Sequence, residues 1–143
     1  MSSPPMPRRP DVRPDDRIDH VMTLFPRDRR TPVDARDWLG EFLTGQVPER
    51  LAADAALVLS ELATNALRHG LGDVVARASI DPDRAIQLSV TDSGDELPAM
   101  LPVDPERIGG LGLRIVDQLA SAWGVAPFPG GKTVWATIAA PTA

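Results

Sequence analysis

The chain has 143 residues, of which 43% are hydrophobic and 24% are charged. This length suits one domain with a real core and is too short for two domains of ordinary size. The formal net charge of -5 provides no general attraction to nucleic acid or to an anionic membrane. The chain has no cysteine, which excludes disulfides, thiolate metal sites and cysteine nucleophiles. No apolar run has the length of a membrane span or of a signal-peptide core, so we expect a cytoplasmic protein.

The first 17 residues are predicted to be a disordered tail. Prolines, arginines and aspartates dominate this segment, and it has too few apolar side chains to compensate for the entropy of ordering. A single folded domain is therefore expected over residues 18–143. Its first element is predicted to be a strand, His20–Phe25, which ends at Pro26 and the charged loop after it.

Two helices are predicted next, over residues 32–45 and 48–70, because apolar residues recur there at helical spacing. Alternating residues then predict two strands, 74–80 and 86–91, joined by a tight turn into an antiparallel hairpin. A third helix, 111–121, precedes a second hairpin. This order of elements predicts an α+β layer sandwich.

Asp92 continues the phase of the apolar residues in the strand before it, which places its carboxylate toward the apolar side at the end of the sheet. A buried carboxylate needs a hydrogen-bond donor. One interpretation is a turn aspartate that bonds its own backbone beside Ser93 and Gly94. The other is an acceptor for the amino group of a purine ring.

Glu61 and Asn65 lie one turn apart, beside the apolar stripe of the long helix, so that both can face a groove between helix and sheet. An amide oxygen can complete a magnesium shell, and a nearby carboxylate can orient or deprotonate an attacking hydroxyl. A solvated helix edge is the alternative interpretation. His69, one turn further, is predicted to cap or pack at the helix end.

Gly109, Gly110 and Gly112 allow backbone amides to approach phosphate at the start of a helix, whose dipole favours an anion. A flexible loop at a helix start is the alternative. The proline-rich segment 97–108 is a candidate lid over a ligand. Arg107, at its end, is a candidate contact for a terminal phosphate.

In order and spacing, these segments resemble the motifs of the GHKL ATPases, a superfamily named for gyrase, the heat-shock chaperone ATPase, histidine kinases and mismatch-repair proteins. The chain is most similar to the small anti-sigma-factor serine kinases, over roughly residues 33 to 139. The segments that carry the resemblance are Leu59-Ser60-Glu61-Leu62-Ala63-Thr64-Asn65-Ala66-Leu67-Arg68-His69-Gly70 (N-box), Val90-Thr91-Asp92-Ser93-Gly94 (G1 box) and Gly110-Leu111-Gly112-Leu113-Arg114-Ile115-Val116 (G2 box).

The resemblance implies a Bergerat fold, in which ATP lies between about three helices and a mixed, mostly antiparallel sheet. By position, Asp92 would accept a hydrogen bond from the adenine amino group and Gly94 would give the base room. Asn65 would bind Mg²⁺, and Glu61 would be the general base. Thr133 resembles the last-strand threonine that helps to hold adenine through Asp92 and water.

The resemblance also assigns the phosphates to the segment Gly110, Leu111, Gly112 and Leu113. One position departs from the family pattern. Glu96 stands where the second glycine of Asp-x-Gly-x-Gly is often found, which predicts a change in the lid hinge or in ATP affinity.

In function, the resemblance implies an ATP-dependent serine/threonine kinase that phosphorylates an anti-anti-sigma partner of the STAS class and sequesters a sigma factor. It also implies that a homodimer can form, and no direct contact with nucleic acid or membrane. A complete histidine kinase is not expected, because nothing before residue 20 resembles its dimerisation segment. The alternative is a non-catalytic, nucleotide-dependent binding module that regulates a transcription factor. ATP hydrolysis that drives a conformational change is a third, less favoured interpretation.

Overall fold

A computed structural model of the chain describes residues 19–94 and 108–140. The elements in chain order are β1 (Asp19–Phe25), α1 (Thr31–Leu43), α2 (Glu49–His69), β2 (Val74–Ile80), β3 (Ile86–Asp92), α3 (Ile108–Leu119), β4 (Ala122–Phe128) and β5 (Gly131–Ile138). This is the order predicted from the sequence. The predicted tail, Glu96, Arg107 and the candidate lid before Ile108 lie outside the described residues.

The five strands form one sheet in the order β1-β2-β3-β5-β4. The predicted α+β class is confirmed, but every described strand pairing is antiparallel, whereas a mixed sheet was expected. The last strand, β5, lies between its hairpin partner β4 and the earlier strand β3. This insertion brings the end of β3 directly opposite the beginning of β5, where Asp92 pairs with Lys132.

The helices cover one face of this sheet, and the core lies between the two layers. Along β3, Leu88 and Val90 face this core, and their partners on β5, Ala136 and Val134, do the same. From α1 and α2 the main contributors are leucines that recur at helical spacing. The core residues of the two helices are Ala35, Leu39, Leu43, Leu51, Ala55, Val58, Leu59, Leu62, Ala63 and Ala66. In the part of the chain that the structure describes, no helix is long and apolar enough to cross a membrane.

The opposite face of the sheet carries polar side chains that bond across the strands. The hydroxyl oxygens of Thr91 and Thr133 lie 2.8 Å apart, and Thr137 donates to the Gln87 side chain at 2.8 Å. Partial burial on this face lowers the pKa of Arg77, because desolvation disfavours its charge. Side chains with the phase of Thr133 therefore point away from the helical layer.

The third helix begins earlier than the sequence predicts. It starts at Ile108, not near Leu111, so Gly109, Gly110 and Gly112 lie inside it. Glycine disfavours a helix by about 1 kcal/mol per residue relative to alanine, which is why the sequence favours a later start. The apolar residues that follow compensate, because α3 packs against α2 and buries Val116.

The C-terminal end of α2 is held by two cations from distant parts of the chain. Arg27 donates to the carbonyl oxygens of Ala66 at 2.8 Å and Leu67 at 2.7 Å. Lys132 donates to the carbonyl oxygen of His69 at 3.1 Å. The Ala66 carbonyl also accepts from the Gly70 amide at 2.9 Å, whereas the carbonyls of Leu67 and His69 lie beyond this last helical bond. Carbonyl groups at the end of a helix carry partial negative charge, so both contacts are favourable.

Gly70 follows α2 directly and has no space for a side chain. A Cβ atom at this position would lie 2.4 Å from Asp92 Cγ and 2.6 Å from the carbonyl oxygen of Ala66. Its φ of -111° is open to any residue, so the requirement for glycine comes from this contact and not from the backbone conformation. The end of α2 is therefore packed directly against the carboxylate at the end of β3.

We predict that Gly70→Ala lowers the free energy of unfolding by about 1–3 kcal/mol, because the added methyl group must displace Asp92 or the end of α2. The matched control is Gly40→Ala in α1, where a Cβ would meet nothing within 4 Å. That change is expected to stabilise the protein by about 0.5–1 kcal/mol, since alanine is the better helix former. Urea denaturation of both variants measures the difference, and equal midpoints would contradict the packing described here.

Candidate functional site

Asp92, the last residue of β3, carries a buried carboxylate. The residue is 3% exposed, and its Oδ1 atom accepts hydrogen bonds from the Gly94 amide at 2.7 Å and from Lys132 Nζ at 3.0 Å. The amide bond is the turn contact that one interpretation of the sequence predicted. That interpretation describes Oδ1 alone, because the second oxygen has a different environment.

Asp92 Oδ2 is buried and has no hydrogen-bond partner within residues 19–94 and 108–140. A carboxylate oxygen without a donor is costly in a buried site, since its lost hydration is not replaced. This oxygen is therefore available to a ligand that brings an N–H group. The turn contact therefore accounts for Oδ1, and the purine-acceptor interpretation stays a prediction for Oδ2.

Lys132, the second residue of β5, supplies the charge that balances Asp92. The residue is 1% exposed, and its ammonium donates to Asp92 Oδ1, to the His69 carbonyl and, at 3.5 Å, to the Gly94 carbonyl. A buried ion pair is stable only when further hydrogen bonds satisfy its charges. Three acceptors around one ammonium meet that condition.

Lys132 is not among the residues predicted for the site, although the sequence contains a signal for it. Val134, Ala136 and Ile138 alternate on the core side of β5, and Lys132 continues their phase. A lysine in a core-facing phase is unusual, because such residues are rarely buried without a partner. The same alternation that placed Asp92 therefore predicts that Lys132 shares its face.

Thr133 does not lie beside Asp92, which corrects the placement that the family resemblance implied. Its partner across the strands is Thr91, and the hydroxyl groups of the two residues bond each other on the far face of the sheet. Successive residues of a strand point to opposite faces, so a difference of one position exchanges the two environments. Lys132 occupies the position that faces Asp92.

Gly94 lies close to the backbone at the end of α2. A Cβ atom there would be 2.9 Å from Gly70 Cα and from the Leu71 amide nitrogen. The neighbouring Ser93 amide donates to the Leu71 carbonyl at 2.8 Å. The segment after β3 and the segment after α2 are therefore in direct contact, with Asp92 between them.

Glu61 and Asn65 lie in α2 upstream of this contact. Asn65 is 7% exposed, whereas Glu61 is half-buried. With a rise of 1.5 Å per residue, Asn65 precedes Gly70 by about 7.5 Å along the helix and Glu61 precedes Asn65 by about 6 Å. Along the helix axis, Asn65 and then Glu61 therefore lie at increasing distance from the Gly70 end, which is packed against Asp92.

The segment of Gly110, Leu111, Gly112 and Leu113 lies in the first turns of α3, which packs against α2. The first amide groups of an α-helix have no intrahelical acceptor, so the observed start at Ile108 leaves the Gly109 and Gly110 amides as donors for an anion, whereas the amides of Gly112 and Leu113 lie beyond the first turn. The predicted contact from Arg107 lies outside the described residues.

A separate cavity of about 600 Å³ lies between α1 and α2 and is remote from these residues in sequence. Acidic side chains of Asp37, Glu41 and Glu49 contribute to its lining. Negative charge of this kind disfavours a triphosphate. None of the predicted site residues lines this cavity.

At the end of β3, the chemistry of the site favours the amino edge of a base. The Asp92 carboxyl group has one buried oxygen without a partner in the described chain, and the nearby Gly70 and Gly94 have no side chains to fill the space around it. Adenine presents an exocyclic amine, which donates, whereas guanine presents a carbonyl at the same ring position. The residues of this site therefore fit an adenine nucleotide.

Among known structures, the chain is similar to the RsbU and RsbW domains of Rv1364c from Mycobacterium tuberculosis, with a TM-score of 0.66 and 21% identity. That match covers 87% of this chain and 34% of the other. The histidine kinase domain of the Erythrobacter litoralis EL346 blue-light activated histidine kinase gives a TM-score of 0.51 and 28% identity, over 65% of this chain and 46% of that one. The chain thus spans less than half the length of either structure.

The search of curated proteins gives no significant match. The family model described as the histidine kinase-like ATPase domain, in contrast, matches residues 25–138. This range contains every element from α1 to β5, together with Asp92, Lys132 and the segments around them. The chain therefore belongs to the histidine kinase-like ATPase family, the GHKL superfamily.

Proposed function

We propose that this protein binds ATP with Mg²⁺ and acts as an anti-sigma-factor-type serine/threonine kinase, which phosphorylates an anti-anti-sigma partner of the STAS class and sequesters a sigma factor. The observation that carries the proposal is the buried, unpartnered Oδ2 atom of Asp92, described for residues 19–94 and 108–140. Its position at the junction of β3 and α2 supports the assignment of the base to this junction.

Asn65 is proposed to supply the metal ligand. Its amide oxygen is a hard donor of the kind Mg²⁺ takes, and the remaining positions of the metal shell are suited to water and phosphate oxygens. The free amides at the start of α3 are proposed to hold the phosphates, since a helix N-terminus attracts anions. Bound ATP supplies the phosphoryl group that is transferred.

Glu61 is proposed to act as the general base. Its partial exposure leaves the carboxylate accessible to a hydroxyl group that a partner protein brings. It would take the proton of that serine hydroxyl as the oxygen attacks the terminal phosphorus in line, while the bond from phosphorus to the ADP oxygen breaks. The products are the phosphoserine partner and ADP.

The partner assignment rests on the similarity to small anti-sigma-factor kinases, and the RsbU and RsbW domains named in the Mycobacterium tuberculosis structure support it.

We predict that Asp92→Asn lowers ATP affinity about ten-fold or more. Lys132 and the Gly94 amide both donate to this side chain, so they select the asparagine oxygen and turn its NH₂ group toward the base. A donor then faces the adenine amine, and a charge-assisted hydrogen bond is lost. The control is Thr133→Val, because Thr133 lies on the far face of the sheet; its affinity is expected to stay within about two-fold.

Titration calorimetry with ATP and Mg²⁺ measures both dissociation constants. Equal affinities of the wild type and Asp92→Asn would remove Asp92 from the site. Weakened ATP binding by Thr133→Val, with normal binding by Asp92→Asn, would indicate that adenine is recognised on the face of the sheet that carries Thr133. Absence of ATP binding by the wild type would contradict the proposed function itself.

Asn65→Ala is predicted to remove the magnesium dependence of ATP binding. The affinity of the wild type should fall when EDTA replaces Mg²⁺, whereas the variant should give the same, weaker affinity in both conditions, because its metal ligand is absent. A variant that retains the full effect of Mg²⁺ would exclude Asn65 as the ligand.

Glu61→Gln is predicted to slow phosphoryl transfer by about 10²–10⁴-fold, the usual contribution of a general base, with ATP affinity unchanged within about two-fold. The control is Glu49→Gln, an exposed glutamate about 18 Å away at the start of the same helix. Transfer of labelled phosphate to a panel of STAS-domain proteins provides the assay. ATP binding without transfer to any of them by the wild type would favour the non-catalytic binding module.

A further inference from the structure

We propose that Lys132 is a positioning residue for base recognition: it holds the Asp92 carboxyl group in one orientation, with Oδ1 occupied and Oδ2 free to accept a hydrogen bond, so that the site selects adenine over bases that present a carbonyl. This inference rests on the proposed ATP-binding function and extends it to a residue on the last strand. Two observations support it. Lys132 Nζ lies 3.0 Å from Asp92 Oδ1, and Asp92 Oδ2 has no partner in the described chain.

The ammonium of Lys132 is fixed by three acceptors that belong to three different segments. They are the Asp92 carboxylate at the end of β3, the His69 carbonyl at the end of α2 and the Gly94 carbonyl after β3. An ammonium has three N–H donors, so its hydrogen-bonding capacity is used completely. A cation held in this way cannot follow Asp92 to a different rotamer, and it fixes which oxygen stays free.

Lys132 is also the only lysine in the sequence, in which every other basic side chain except the two histidines is an arginine. The two cations differ in shape: arginine presents a planar fork, whereas lysine presents a compact, tetrahedral charge. Three acceptors converge here from different directions within a site that is 1% exposed. The compact ammonium reaches all three acceptors.

The ion pair determines the orientation of the carboxyl group. Oδ1 is engaged by the ammonium and by the Gly94 amide, which leaves Oδ2 as the acceptor that a ligand can reach. Without the ammonium, only the Gly94 amide holds the carboxyl group, which can then turn to present either oxygen. Lys132 therefore decides whether a fixed acceptor meets the amine of the base.

The experiment compares ATP with inosine triphosphate (ITP), which carries a carbonyl in place of the adenine amine. For the full-length wild type we expect ITP to bind about ten-fold or more weakly than ATP, because Asp92 Oδ2 and the carbonyl oxygen of the ITP base are both acceptors and form no hydrogen bond. In Lys132→Met this preference is expected to fall to about two-fold or less. The control is Thr137→Val on the same strand, which loses a buried hydrogen bond on the far face and should keep the wild-type preference.

A second measurement uses the wild type alone and does not depend on the folding of a variant. Protein labelled with ¹³C only at the ε carbon of lysine gives a single side-chain signal, that of Lys132. Saturation with ATP and Mg²⁺ is expected to shift the ε-methylene signal, because the base and the ammonium bond the same carboxylate. The dissociation constant from this titration should equal the one that calorimetry gives. A signal that stays unchanged at saturating ATP would overturn the inference.

Chemical rescue separates the role of the charge from that of packing. Since the chain has no cysteine, Lys132→Cys can be alkylated with 2-bromoethylamine in denaturant and refolded, which rebuilds an ammonium at the length of a lysine. We expect the preference for ATP to return to within about three-fold of the wild type. The refolded but unalkylated protein should discriminate as poorly as Lys132→Met.

These outcomes separate the inference from the function on which it rests. Suppose that the wild type binds ATP, that folded Lys132→Met keeps the wild-type preference for ATP over ITP, and that the lysine signal does not shift with ATP. These results would overturn the role of Lys132 and leave the proposed function intact. A wild type that binds neither nucleotide would overturn both. Loss of preference in Lys132→Met, its return on aminoethylation and its retention in Thr137→Val would support the inference.

Discussion

The ion pair between Lys132 and Asp92 is the interaction on which the arrangement of the site depends. Removal of two charges from water is costly, and their attraction repays that cost only where the remaining hydrogen-bonding groups are satisfied. Lys132 meets this condition through carbonyls from two other segments, and Asp92 does so at one of its oxygens. A single buried contact thus joins the ends of two strands to the end of the longest helix.

The packing around that pair explains why glycines occupy its surroundings. The end of α2 meets the carboxylate at Gly70, and the segment after β3 meets α2 at Gly94, each at a distance that excludes a Cβ atom. Close backbone approach replaces the side-chain interdigitation found in the rest of the core. A corner built from backbone and one ion pair has few ways to rearrange, which is the property that a selective polar site requires.

Most of the fold could be predicted from the sequence, because period 2 and period 3.6 are clear in the segments that became strands and helices. The burial of Asp92 followed from the phase of β3 alone. Its counter-ion was missed, since pairing between β3 and β5 is a long-range property that no local pattern specifies. The family motif suggested Thr133, and a shift of one residue along a strand was enough to move that side chain to the wrong face.

The start of α3 was also misplaced, for a different reason. Glycine propensity argued for a later boundary, but the tertiary contact of α3 with α2 outweighs that local preference. Prediction from propensity fails most readily where a weak local signal competes with packing, as in the first turns of this helix.

The burial of the single lysine has a practical consequence for chemistry in solution. Amine-directed acylating reagents and lysine-specific proteases find no accessible target in the body of the folded domain, since Lys132 is enclosed between helix and sheet. The rate at which such a reagent modifies this one side chain therefore reports how often the corner between α2 and β5 opens.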